Sequence, residues 1–165
     1  MLPDDSFLNI VQNSLLVAFD LIVRDPRGRV LVGLRSNRPA RGYWFVPGGR
    51  VRKEETLPEA FRRLTEEELG LPLELKRDAR FYGLYEHLYE DNLAGAPGVG
   101  THYIVLAYEI RLDEIPEALP LEQHSGYRWL PPEELLADSR VHLNTKNYFN
   151  DTGSAGEYGR SLTRG

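Results

Sequence analysis

Residues 48–71, GGRVRKEETLPEAFRRLTEEELGL, decide how the rest of this chain is read. Thr56 reads as a helix N-cap, with Glu59 three residues on as its capping-box partner. Pro58 falls in the first turn, where its missing N–H costs nothing. Gly70 supplies the C-terminal stop, and Pro72 prevents continuation. At helical spacing Leu57, Ala60, Phe61 and Leu64 make one apolar stripe, and Glu68 closes it. A carboxylate in line with a core-facing stripe is expensive unless a cation neutralises it. Glu67 lies about 100° around the helix from Glu68, and Glu55 comes from the preceding loop. Arg63 is placed to pair with one of these carboxylates. Hard oxygen ligands of this kind suit Mg²⁺. By charge alone, a surface helix with acidic decoration is the simpler reading.

Upstream of this segment, residues 15–24 (LLVAFDLIVR) read as a buried strand interrupted by Asp20. The turn signal DPRG at 25–28 joins it to a partner at 29–35 (RVLVGLR), which predicts a hairpin. Residues 36–50 read mostly as loop, with a short strand near 43–46. Downstream, 79–90 and 101–112 read as two long strands separated by a mobile loop of small residues, DNLAGAPGVG. A short strand at 127–130 precedes helical stretches at 131–138 and 143–150. These elements predict one α/β (α+β) domain over residues 1–150, with a mixed β-sheet sandwiched between helices. The tail 151–165 has no apolar periodicity and reads as flexible.

The 165 residues suit one domain, and a 41% apolar fraction with 10% aromatics can build a core. No cysteine is present, which removes disulfides, thiolate nucleophiles and thiolate-ligated zinc. The acidic N-terminal stretch is unlike a signal peptide, and no apolar run approaches a membrane span. A soluble cytoplasmic protein is expected. The net charge of −5 argues against a nucleic-acid or membrane coat. It also conceals a segregation: eight arginines and one acid between residues 24 and 52, then six glutamates between 54 and 68. A site where these blocks meet would suit a small anion and its metal.

The helix and its glycine-rich entry resemble a Nudix box. Gly49, Glu55, Arg63, Glu67, Glu68, Gly70 and Leu71 match at the required spacing. Leu64 stands where the family has its first helical glutamate, and Thr65 replaces an aliphatic. In ordinary Nudix pyrophosphohydrolases the glutamate missing at Leu64 helps to ligate metal and is implicated in activating the attacking water. The wider pattern, from NRPARGYWFVPGGR through FYGLYEH and THYIVL to EQH..YRWL and VH.N...YF, resembles the GDP-mannose mannosyl hydrolase subgroup over about residues 15–150.

That resemblance implies cleavage of the sugar C–O bond of GDP-mannose or GDP-glucose, with inversion, giving GDP and free sugar. It implies one Mg²⁺ per active site, replaceable by Mn²⁺, held by the Gly48 carbonyl, Glu68 and Gln123. Arg35 and Arg50 match arginines that engage the diphosphate, where bidentate guanidinium contacts suit developing charge. His124 corresponds to the general base, and Tyr103 to a hydrogen-bond donor to the leaving phosphate. Asp20 and His87 fall at the sugar end. His102 and His142 read as structural. A homodimer is implied as well. The alternatives are a Nudix pyrophosphohydrolase attacking phosphorus, and a non-catalytic nucleotide-sugar sensor.

Overall fold

The computed structural model describes residues 4–122 and 124–150. The tail at 151–165 and the expected ligand Gln123 lie outside the described residues. The chain runs through α1 (Asp4–Asn13), β1 (Leu16–Arg24), β2 (Val30–Arg35), β3 (Trp44–Phe45), β4 (Gly48–Arg50) and α2 (Leu57–Leu69). It continues through α3 (Leu75–Asp78), β5 (Ala79–Tyr89), β6 (Thr101–Arg111), β7 (His124–Leu130), α4 (Pro132–Ala137) and α5 (Leu143–Lys146).

All seven strands join one mixed sheet, ordered β3-β2-β1-β6-β5, with β4 added to β1 and β7 to β2. β1 is its spine. It pairs with β6 in parallel along its whole length, from Leu16↔Tyr103 to Arg24↔Arg111. Its other edge is shared. β2 meets it only at Arg24↔Val30, while β4 takes Ala18, Phe19 and Asp20. The expected hairpin therefore exists at its base alone. Asp25 holds that base, accepting hydrogen bonds from the Arg27 and Arg29 backbone and from the Arg29 side chain. Beyond it β2 splays away and pairs with β7 instead.

Alternation along β1 feeds two cores. Phe19, Leu21 and Val23 pack with Leu31, Phe61, Leu64 and Leu69 beneath α2. On the opposite face Ile22 packs with Val32, Tyr85, Val105, Leu135 and Tyr148 beneath the C-terminal helices. Helices thus cover both faces, as expected for a mixed sheet built this way.

Several sequence expectations need correction. Leu57 does not join the buried stripe. It is the first residue of α2 and is 41% exposed, while Thr65 and Leu69 complete the buried face. α1 was not anticipated, although Phe7, Leu8 and Val11 have helical spacing and turn inward. The loop read as mobile is tied internally by buried Asn92, whose amide donates to Ala96 O (2.8 Å) and Val99 O (2.7 Å) and accepts from Ala96 N. Finally, β7 starts at His124, three residues earlier than read, which sets His124 opposite Arg35.

Candidate active site

The helix α2 begins with the expected capping box. The Thr56 hydroxyl accepts from Glu59 N, and the Glu59 carboxylate accepts from Thr56 N. It ends at Gly70 in the left-handed conformation, φ 70°. Between these stops the helix points Glu68 into the protein, where it is 1% exposed. Glu68 Oε2 lies 2.9 Å from His124 Nε2. Its second oxygen, Oε1, and His124 Nδ1 are both buried with no hydrogen-bond partner among the described residues.

Two glycines make room for this pair. A Cβ at Gly33 would fall 2.5 Å from His124 Nδ1, so the imidazole lies directly on the β2 backbone. A Cβ at Gly49 would fall 2.4 Å from Leu64 Cδ2. Leu64, 2% exposed, therefore seals the wall beside the glycine-rich strand, where a carboxylate would be buried in the core.

The remaining charges of the box form a brace. Arg63 donates from Nε to Glu55 Oε1 (2.6 Å) and from Nη2 to Glu55 Oε2 (2.9 Å). It also reaches Arg50 O (2.9 Å) and Glu67 Oε2 (3.0 Å). Glu55 is held below the usual carboxylate range chiefly by Arg63. Glu67 is shared with Arg52 at 3.6 Å. The brace pins the entry loop to α2.

A second group of polar side chains lies on the face of the sheet away from α2. Asp20 comes from β1, opposite Gly48 in register. A Cβ at Gly48 would fall 2.3 Å from Phe19 O and 2.7 Å from Asp20 Oδ1, so only glycine lets β4 approach this closely. Burial pushes the Asp20 carboxyl up to about 6, against the opposing pull of Tyr148 and Arg35. The Tyr148 hydroxyl donates to Asp20 Oδ2 and lies 3.4 Å from His87 Nε2. Burial holds the His87 imidazole down at about 4, so it is neutral at pH 7. His87 and Tyr103 are direct cross-strand partners on β5 and β6.

Arg50 is half-buried, with its guanidinium 4.0 Å from the Phe7 ring, and burial lowers its pKa. Its charge and that of Arg35 both pull the Tyr103 phenol down, against a larger upward push from burial. Arg35 itself lies over Phe45 at 5.4 Å. Glu68 also raises the Asp20 carboxyl, so the two acidic groups sense one another.

The expected site residues thus fall into two neighbouring groups. Glu68 and His124 are in contact; Gly48 lies against Asp20, which forms the second group with His87, Arg35, Arg50 and Tyr103. Three participants were missed. Tyr148 bridges Asp20 and His87, and the Tyr89 phenol is raised chiefly by burial, with Asp20 adding to it. His142, read as structural, does cap α5 by accepting from Asn144 N. It also stacks on Phe45 at 4.5 Å and is pushed down to about 4, mostly by burial with help from His87 and Arg35. His102 faces outward on Glu86. No local pattern flags the first three, because aromatic residues at these spacings look like ordinary core.

The Glu68 carboxylate fits a hard divalent cation: it offers a buried oxygen without a partner, and the carbonyl at Gly48 is a neutral donor of the same hardness. Among the described residues no three His, Asp or Glu side chains converge as a metal cage, so neutral donors would have to complete such a site. No helix among them is long and apolar enough to cross a membrane.

The chain matches the NUDIX domain family model over residues 14–151. It is 42% identical over 138 residues to the low-salt glycan biosynthesis protein Agl8 of Haloferax volcanii, covering 82% of this chain and 83% of that protein. The structure resembles the MutT protein of Methanosarcina mazei, with a TM-score of 0.65, 21% identity, and coverage of 82% and 90% of the two chains. It also resembles a MutT Nudix hydrolase from Burkholderia pseudomallei, with a TM-score of 0.65, 23% identity, and coverage of 85% and 99%. At these identities the solved structures speak for the fold.

Proposed function

The chain belongs to the Nudix family, and from that premise we propose that it is a GDP-mannose mannosyl hydrolase, acting on GDP-mannose or GDP-glucose. The observation that carries this reading is Leu64. The position where the family has its first helical glutamate is packed into the wall beside Gly49, leaving Glu68 as the buried carboxylate of the helix. A site with one such carboxylate suits one Mg²⁺ and a diphosphate leaving group better than several metals promoting water attack at phosphorus. The glycan-biosynthesis role in the name of the Haloferax relative favours a sugar nucleotide.

Glu68, the Gly48 carbonyl and Gln123 would hold the Mg²⁺, for which Mn²⁺ can substitute. When bound, the ion supplies Lewis-acid neutralisation of the departing diphosphate. The protein's own groups do the rest. Arg35 and Arg50 bring two cations to the diphosphate oxygens, and Tyr103 donates a hydrogen bond as charge develops there. Asp20 and His87 orient the sugar. His124 takes the proton of the attacking water. Its Nε2 lies 2.9 Å from Glu68 Oε2, so the carboxylate fixes the orientation of the imidazole. Water adds to the anomeric carbon as the bond from that carbon to the diphosphate oxygen breaks, through an oxocarbenium-like state. The products are GDP and sugar of inverted configuration. The enzyme is proposed to work in the cytoplasm as a homodimer.

Incubation with GDP-mannose and Mg²⁺ in heavy-oxygen water tests the reading. Unlabelled GDP with labelled, inverted mannose is expected. GMP with mannose-1-phosphate would instead establish attack at phosphorus. Tight binding without turnover would make the protein a sensor.

A further inference from the structure

The mechanism above does not use the buried hydroxyl of Tyr148. Tyr148, 3% exposed, arrives from the C-terminal segment, 128 residues away from its partner Asp20. Its placement is fixed from several sides. The ring packs edge-on against Tyr85 with centroids 4.6 Å apart, and the Tyr148 carbonyl accepts from Tyr82 Oη at 2.5 Å. The hydroxyl sits between Asp20 Oδ2 and, at 3.4 Å, His87 Nε2.

One phenolic hydrogen serves two neighbours, so its direction matters. The hydroxyl donates to Asp20 Oδ2, the shorter of its two contacts. With its hydrogen committed to Asp20, the Tyr148 oxygen can only accept from the other side. His87 is neutral, so it carries one ring proton, and the nitrogen facing Tyr148 is Nε2. The remaining nitrogen, Nδ1, is then the acceptor of the ring.

We propose that Tyr148 is a positioning residue that fixes the polarity of a chain running from His87 Nε2–H to Tyr148 and from Tyr148 O–H to Asp20. Its consequence is that the two ends present only acceptors, His87 Nδ1 and the free Asp20 oxygen. Such an end selects ligand groups that donate, as sugar hydroxyls do, and rejects an acceptor in the same place. This selectivity rests on the sugar-nucleotide reading above. The chain itself does not.

The test is nitrogen NMR of the imidazoles in the whole chain at about pH 8, where His87 is neutral. His87→Gln assigns the His87 signals. The wild type is expected to hold His87 as the Nε2–H tautomer. Tyr148→Phe, which keeps the ring, is expected to abolish that preference and to lower kcat/KM for GDP-mannose about ten- to a hundredfold. An Nδ1–H tautomer in the wild type overturns the proposal, even if the variant fails to fold. A folded Tyr148→Phe variant with unchanged tautomer overturns it too. GDP release from GDP-mannose by the wild type is scored separately, so a wrong substrate leaves the tautomer result standing.

Discussion

Glu68, buried, and Asp20, half-buried, are carboxylates held by an imidazole and by a phenol, yet they are built in opposite ways. Glu68 is delivered by a single helix whose start, stop and buried face are all written within 15 residues of sequence, from Thr56 to Gly70. Asp20 depends on three separate elements. Its strand supplies the carboxylate, β4 approaches it through a glycine, and a tyrosine from the far end of the chain donates to it. The difference teaches where chemistry is robust. A residue placed by local helix geometry tolerates change elsewhere, whereas one placed by convergence inherits every error in packing.

Substitution at the Glu68 end should have the largest effects. His124→Gln keeps a donor for Glu68 while removing the base, and kcat should fall roughly 10²–10⁴-fold with metal affinity little changed. Steady-state kinetics and Mn²⁺ titration check this; near-normal kcat would move the base elsewhere. Glu68→Gln should weaken Mg²⁺ binding and activity together, by more than the roughly 10–100-fold that outer-shell changes cost. Unchanged metal affinity would remove Glu68 from the ligand set.

The Asp20 end should reveal itself through pH. His87 has its pKa depressed from 6.5 to about 4 in the folded state, so the stability it contributes is present above pH 6.5 and lost as pH falls through 4. Asp20, raised from 3.8 to about 6, acts in the opposite sense: its contribution is present below pH 3.8 and lost as pH rises through 6. The two slopes offset one another between about pH 4 and 6. His142, depressed to about 4, has a slope of the same sign as His87, so in His87→Gln it alone of the two histidines opposes Asp20, and acidification across this window should cost the variant less stability than the wild type. The difference from wild type should change by up to about 3 kcal/mol. Parallel Tm–pH curves for the two proteins would contradict it.

A smaller effect should follow from Gly33→Ala. The new methyl must displace the His124 ring, costing about 1–3 kcal/mol of stability. Activity should fall with it, since the base moves. Normal kinetics in a destabilised variant would show that the ring position seen here is not the one used in turnover.

How far this was readable from the sequence follows the same division. The helix 57–69, its caps, its buried Glu68 and the Arg63 brace were legible because each rests on residues within a few positions of one another. The long strands were legible from their apolar density. The hairpin was overread: the DPRG turn is real, but one register pair is all that β1 and β2 share, because β4 competes for the same edge. α1 passed unread because the segment was weighed only as a leader. Asn92 was overlooked as a buried anchor, since a loop's composition does not say which polar side chain it folds around. Tyr148 was invisible for a related reason. Its hydroxyl acquires a role only once residues 20, 87 and 148 meet.

Helix caps, periodicity and glycine spacing act over short range, so the order of residues alone already specifies the family, the layered α/β architecture and a helix carrying a buried carboxylate. Folding was needed to bring Glu68 to His124, to set Leu64 into the wall beside Gly49, and to join Asp20, Tyr148 and His87 in one chain. Burial and long-range register set those contacts. A buried polar group must find its partner wherever the fold brings one, at any distance along the chain.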